Sequence, residues 1–141
     1  MTVDRFGVSM PGEQLEAFDR LLTRKGYDNR SEAVRDMVRQ WMVEDEWEHP
    51  QDDSEERVAV AVIVYDHDRA DLSQKLTHVQ HEQVGVVVTA LHLHLDSHNC
   101  LEVILLRGAA GHVHQLGRSI IATRGVKFGK LVLATTGAHL T

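Results

Sequence analysis

The chain has a single cysteine in 141 residues. No intrachain disulfide can form, so Cys100 is a free thiol or a ligand, and a reducing cytosol is the expected compartment. Long apolar runs are missing too. No segment approaches the ~20 apolar residues of a membrane span, and no apolar N-terminal stretch resembles a secretion signal. A membrane protein is therefore not expected. Excess positive charge is also lacking. The net charge of −6 argues against indiscriminate binding to nucleic acid, although the placement of charge counts for more than its sum. Proline occurs only at Pro11 and Pro50, and both positions punctuate the chain. What the sequence has in excess is histidine: ten are present, and five of them lie between His78 and His98.

Residues 44–56, EDEWEHPQDDSEE, are mostly acidic and contain Pro50. This break reads as an exposed linker. It divides the chain into residues 1–45, a linker at 46–56, and residues 57–141. In the first part, RFGVSMP (5–11) alternates Phe6, Val8 and Met10 with Arg5, Gly7 and Ser9, the period of a strand. Pro11 ends it and can open a helix, where its missing N–H costs nothing. Leu15, Phe18, Leu21 and Leu22 follow at helical spacing until Gly26. Asn29 can cap a second helix, with Glu32 closing a capping box. Ala33, Val34, Met37, Val38, Trp41 and Met42 form its apolar stripe. Strand, helix, helix over about 45 residues is too small to bury a core easily, and a lone strand leaves both edges unpaired. Two copies that pair this strand as an antiparallel ribbon would repair both faults. Phe6 and Val8 would then face the helices. Arg5, Gly7 and Ser9 would form an outward comb that fits the major groove of DNA.

The second part reads as a strand at 57–67, an amphipathic helix at 70–84 on Leu72, Leu76, Val79 and Gln83/Val84, and strands at 84–96 and 100–108. A helix at 109–125 follows, on Val113, Leu116, Ile120 and Ile121 with Gly125 as its stop, and then a strand at 126–137. The order βαββαβ is the ferredoxin-like arrangement, which makes the chain α+β overall.

Residues 91–100, LHLHLDSHNC, alternate leucine and histidine and end on the thiol. Strand residues two apart share a face at about 6.7 Å, so His92 and His94 can converge on one ion with metal–nitrogen bonds of ~2.0 Å. Leu91, Leu93 and Leu95 take the other face and are expected to pack on the helices. A three-residue loop of Ser97, His98 and Asn99 would set Asp96 opposite Cys100, His94 opposite Glu102 and Leu93 opposite Val103. Cys100 and Glu102 would then join the histidines. A slip of one residue would invert every face, so the apolar pattern selects this loop over a two-residue one. His78 and His81, near the end of the preceding helix, are equal candidates for a fourth ligand, from this chain or from another copy. His98 and Asp96 are weaker candidates. His67, His112, His114 and His139 are read as surface or structural residues. Two imidazoles and a thiolate suit Zn(II), Cu or Ni(II), and spacing does not choose among them.

RFGVSMP, GYDNRSEAVRD (26–36), VYDHD (64–68), VQHE (79–82), LHLHLDSHNCLEV (91–103) and RGVKFGKL (124–131) together span nearly the whole chain. Through them the chain resembles the nickel-responsive transcriptional regulators of the NikR family. The resemblance implies an N-terminal ribbon-helix-helix dimer and a C-terminal ferredoxin-like, ACT-like domain that assembles a homotetramer, a dimer of dimers. It implies one Ni(II) per subunit in a square-planar site at the tetramer interface. Motif by motif, His92, His94 and Cys100 align with three ligands of one subunit, and His81 with a fourth from a neighbour. Glu102 and Tyr65 align with groups that support the site. Glu32 and Asp36 match carboxylates that hold a second, hard cation such as K+. Arg5 and Ser9 would read double-stranded operator DNA, while Asn29, Arg30 and helix N–H groups would grip phosphate. Arg69 would add a phosphate contact. Repression of nickel-uptake genes is the implied output.

Two departures stand out. Gly7 occupies a position where relatives present a polar side chain, so a base contact is lost and readout leans more on DNA shape. Residues 1–45 hold 7 basic and 9 acidic side chains, net −2, and clustering of Arg5, Arg30, Arg35 and Arg39 must offset that sum. Three other functions compete: a regulator responding to Cu or Co, a cytosolic metal delivery or storage protein, and a metalloenzyme. Four protein ligands leave a substrate no open position, and no acid/base pair accompanies the site, so an enzyme is not expected.

Overall fold

The structure is a computed structural model, and it describes residues 2–49, 52, 54–82 and 85–141. Pro50 of the acidic stretch, and Gln83 and Val84 at the end of the expected third helix, lie outside the described residues. The chain forms two compact units, Met1–Trp41 and Met42–Thr141.

The first unit contains helix α1 (Gly12–Lys25) and most of helix α2 (Arg30–Glu48). Pro11 caps α1, and its carbonyl accepts the N–H of Leu15 at 3.0 Å. Gly26 ends the helix at φ 81°, where its N–H reaches the carbonyls of Leu22 and Thr23. A side chain would be strained in that left-handed conformation, which is why glycine stands there. Asn29 starts α2 as expected, its Oδ1 accepting the Glu32 N–H at 2.8 Å. Among the described residues of this unit, Leu22 and Ala33 alone are buried.

The strand expected over residues 5–10 is not formed within one chain, and residues 2–11 carry no helix or sheet assignment. The reason is physical. A strand is defined by ladder hydrogen bonds, and this unit has no other strand to supply them. Phe6 and Val8 accordingly do not face the chain's own helices and are 75% and 68% exposed.

The second unit has strands β1 (Glu56–Asp66), β2 (Val87–His94), β3 (Asn99–Ala109) and β4 (Val126–Leu133), with helices α3 (Ala70–Glu82) and α4 (Ala110–Ile121). The order βαββαβ is the one the sequence predicts. The strands form one antiparallel sheet in the order β2-β3-β1-β4. The helical turns 46–48 run into the stretch expected to be linker, and Trp47 explains them. Its indole is buried, and Nε1 donates to the Ala134 carbonyl at 2.8 Å.

One face of the sheet makes the core. Ala59, Ala61, Ile63 and Tyr65 of β1 and Cys100, Ile104 and Leu106 of β3 are buried against Leu72 and Leu76 of α3 and Val113, Leu116 and Ile120 of α4. Helix α4 sits almost on the backbone of β4, because a Cβ added at Gly129 would lie 2.9 Å from Ile121 Cβ and 3.1 Å from its carbonyl oxygen.

The opposite face corrects an expectation. Leu91, Leu93 and Leu95 do not pack on the helices. They lie on the open face and are 64%, 58% and 49% exposed. The strand registers set Val60, Val62, Val64, Leu101, Val103, Leu105, Phe128 and Val132 on that same face. The alternation was correctly read, but both faces of this sheet are apolar, and periodicity alone does not say which one the helices cover.

Candidate metal centre and nucleic-acid interface

The β2–β3 hairpin decides what meets Cys100. The observed register pairs His94 with Cys100, His92 with Glu102 and Leu93 with Leu101. The predicted register is therefore off by two residues. Asp96 causes the difference. Its Oδ1 accepts the N–H groups of His98 and Asn99, each at 2.8 Å, and its Oδ2 accepts Asn99 Nδ2 at 2.8 Å. This closes the turn early, with the Leu95 N–H donating to the Asn99 carbonyl at 2.9 Å. These hydrogen bonds hold the Asp96 carboxyl well below the usual carboxylate range, the Asn99 side chain first among them. A shift of two keeps every side chain on its face, so the grouping of His92, His94, Cys100 and Glu102 stands.

Cys100 and Glu102 are buried, at 1% and 2% exposure, whereas His92 and His94 at the sheet edge are exposed. His92 Nδ1 lies 3.6 Å from Cys100 Sγ, and its Nε2 lies 3.3 Å from Glu102 Oε1. A carboxylate buried in a core is costly unless its oxygens are satisfied. Here Tyr65 donates its hydroxyl to Oε2 at 3.0 Å and Gln80 donates Nε2 to Oε1 at 2.9 Å. Burial, and then the neighbouring Glu102 charge, push the Tyr65 phenol up, so it remains a neutral donor. Glu102 thus joins β1, α3 and the imidazole of His92. Two imidazoles and a thiol on one face, with a carboxylate behind one imidazole, form a donor set suited to a late first-row metal ion.

His81 does not join this group within its own chain. It shares an outward surface of α3 with Ser73, Gln74, Thr77 and His78. Its neighbour Gln80 takes the inward position, as a helical step of one residue requires. One residue of the site is absent from the expected set. Gln80 lies inside the quoted VQHE motif, and its amide was the available signal. His67, expected to be a surface or structural residue, packs its ring edge-on against that of His94 at 5.2 Å between centroids.

A tighter cluster lies at the hairpin tip. Ligand atoms of Asp66, Asp68 and His98 all fall within 4.8 Å of one another, whereas those of His92, His94 and Cys100, though on one face, do not draw that close together within one chain.

In the first unit, Arg5, Gly7 and Ser9 lie on the exposed N-terminal segment. Arg30 is engaged with Asp19, its Nε and Nη2 each donating to a carboxylate oxygen at 2.8 Å. That contact lowers the Asp19 carboxyl below its usual range. Asp36 accepts hydrogen bonds from the Tyr27 hydroxyl and from Arg39 Nη2, which lower its carboxyl in turn. Glu32, one turn earlier on α2, is exposed. In the second unit, Arg69 lies beside Asp71 and over Gly125, whose φ is 100°. A Cβ at Gly125 would come within 3.1 Å of Arg69 Nη1.

Comparison with known proteins agrees with both halves. Residues 58–134 match the NikR C-terminal nickel-binding domain, and residues 4–45 match the ribbon-helix-helix proteins of the copG family. A protein assigned as a nickel-responsive regulator in Anaeromyxobacter dehalogenans (strain 2CP-1) is 52% identical over 138 residues, 98% of this chain and 99% of its own length. Another so assigned, from Thermococcus onnurineus, is 47% identical over 140 residues, 99% of each chain. A third, from Nitratidesulfovibrio vulgaris, is 49% identical over 137 residues, 97% of this chain and 96% of its own. An uncharacterized protein of Thermotoga maritima shares the fold over 57% of this chain and all of its own, with a TM-score of 0.50 at 16% identity. With both domains matched along nearly its full length, the chain belongs to the NikR family of nickel-responsive regulators.

Proposed function

We infer that the chain is a nickel-responsive, DNA-binding transcriptional regulator and not an enzyme. In this reading each subunit holds one Ni(II) through His92, His94 and Cys100, with His81 donated by a neighbouring copy. The observation that carries it is the shared face of His92, His94, Cys100 and Glu102 on the β2–β3 hairpin. The outward placement of His81 supports donation between copies. Glu102 orients His92, and Tyr65 and Gln80 keep Glu102 in place. Bound nickel would supply a cross-link between copies and so favour the assembled form.

The open apolar face of the sheet is suited to burial between copies. Soluble monomers rarely expose so large a contiguous apolar surface, and a homotetramer, a dimer of dimers, is the assembly proposed. The N-terminal segments of two copies would pair as a ribbon, with Arg5 and Ser9 reading operator DNA across the gap left by Gly7. Asn29, Arg30 and Arg69 would grip phosphate, and Arg30 would first exchange Asp19 for it. Glu32 and Asp36 would hold a second cation such as K+, with Arg39 displaced. Residues 1–45 would serve DNA and 57–141 metal, joined by the acidic 46–56. The described residues contain no helix long and apolar enough to cross a membrane. The proposed setting is the cytoplasm, and the proposed output is repression of nickel uptake.

Operator binding measured with Ni(II), with Zn(II) and with chelator, beside the nickel absorption spectrum, tests this reading. Nickel-dependent binding and a sulfur-to-nickel charge-transfer band, both lost in Cys100→Ala, are expected. A nickel band without any DNA binding would replace the regulator with a delivery protein.

A further inference from the structure

We propose that Asp19 is a built-in competitor for DNA phosphate. Its carboxylate holds Arg30 in the free protein and must be exchanged before Arg30 can grip the backbone, so the contact restrains binding to DNA. The inference rests on the reading of Arg30 as a phosphate contact and adds a regulation of that contact.

Asp19 lies in the second half of α1, and Arg30 is the first residue of α2. The turn at Gly26 folds the chain so that these residues, 11 apart in sequence, meet. Arg30 Nε and Nη2 each donate to a different oxygen of the carboxylate at 2.8 Å. This is the two-bond geometry in which a guanidinium also takes a phosphate. Arg30 cannot offer that edge to the backbone while Asp19 holds it, and its charge is already neutralised. Among the described residues Arg30 is the sole partner of the Asp19 carboxylate. Asp36 differs, because it accepts the Tyr27 hydroxyl as well as Arg39 and so ties the loop between the helices to α2. Asp19 makes no second bond of that kind.

The charge of the unit gives the contact its consequence. Arg5, Arg30, Arg35 and Arg39 have to offset the net −2 of residues 1–45. Two of them, Arg30 and Arg39, are bound to carboxylates of their own unit. Sequence-independent affinity for DNA comes from neutralised phosphates. A regulator that answers its own basic groups with its own acids stays off bulk DNA until an operator supplies the remaining contacts. The side chains of Arg30 and Asp19 are 55% and 45% exposed, so the pair is weak enough to exchange. A pair this exposed restrains each Arg30 by about 1.4–5-fold, and two copies in one ribbon multiply to about 2–30-fold.

Phosphate contacts carry no sequence information, so a labelled mixed-sequence DNA duplex is a sufficient probe. Its anisotropy would be followed as the nickel-loaded full-length protein is added. Asp19→Asn should tighten binding by about 2–30-fold. D19S removes the same carboxylate and should do the same, with circular dichroism checking the fold of both. Arg30→Gln should weaken binding and flatten its dependence on salt. In the D19N/R30Q double variant the gain should vanish. Glu16→Gln removes a charge from the same helix, where Glu16 lies 4.0 Å from Arg20, and should change affinity far less. Unchanged or weaker binding in D19N and D19S would overturn the proposal and make the pair a structural tie between the helices. A gain that persists in the double variant, or that E16Q matches, would reduce it to general repulsion and overturn it as well. Unchanged affinity in R30Q would remove Arg30 from DNA, and the proposal with it, while the regulator reading stands on its other contacts. Nickel-loaded wild type that binds no DNA would overturn the regulator reading and the proposal together.

Discussion

The N-terminal and C-terminal units solve the same problem with very different means. Residues 42–141 bury a two-helix layer on one sheet face, with Ile63, Leu72, Ile104, Val113 and Ile120 each fully enclosed. The described residues 2–41 bury only Leu22 and Ala33, while Phe6, Val8 and Trp41 stand 75%, 68% and 70% exposed. Burying a large apolar side chain contributes roughly 1.5–3 kcal/mol, so the first unit leaves most of its available stabilisation unrealised within one chain. The second unit carries its own core and still presents an apolar sheet face. Stability in the C-terminal unit is thus intramolecular, and its second face is surplus. In the N-terminal unit the missing stabilisation would come from the proposed pairing of two copies. On that proposal, a DNA-binding piece that gains its core by pairing would not separate reading from dimerisation. A metal piece with its own core can present ligands in either metal state.

The largest expected effect separates the metal chemistry from the fold. Cys100→Ala should abolish the nickel response of DNA binding while leaving far-UV circular dichroism of the metal-free protein unchanged. A variant that keeps its nickel response would break the assignment of the thiol. Next comes the core. Ile63→Ala should cost about 2–5 kcal/mol in urea unfolding, and its midpoint shift should not depend on protein concentration. Phe6→Ala should do the reverse, with a small shift that grows on dilution. If both variants behave alike, the contrast between the units is wrong. Arg5→Ala should weaken operator binding by about 1–3 kcal/mol without altering nickel affinity, measured by fluorescence anisotropy. The smallest effect is local. Asn29→Ala removes the acceptor for the Glu32 N–H and should cost ~1 kcal/mol, which a thermal melt of the full chain would detect.

Much of this was legible in residues. The helix starts at Pro11 and Asn29 and the stop at Gly26 are local chemistry, and local chemistry is written in sequence. The grouping of His92, His94, Cys100 and Glu102 was legible because strand alternation has a period of two. The register was not. It turned on the Asp96 carboxylate closing its loop one residue early, a competition between nearly equal turns. Gln80 escaped notice because it acts through a neighbour on a different element, Glu102.

By itself, the sequence determined the order of helices and strands from Gly12 onward and which side chains of the β2–β3 hairpin share a face. Each follows from periodicity or capping within a few residues. Only the tertiary structure decided which face of the sheet the helices cover, and so left Leu91, Leu93 and Leu95 outside. It also decided that Gln80 turns inward to Glu102 while His81 faces away. The physical reason is the same in both cases. A period says which residues travel together, whereas the choice of side is made by whatever packs against them.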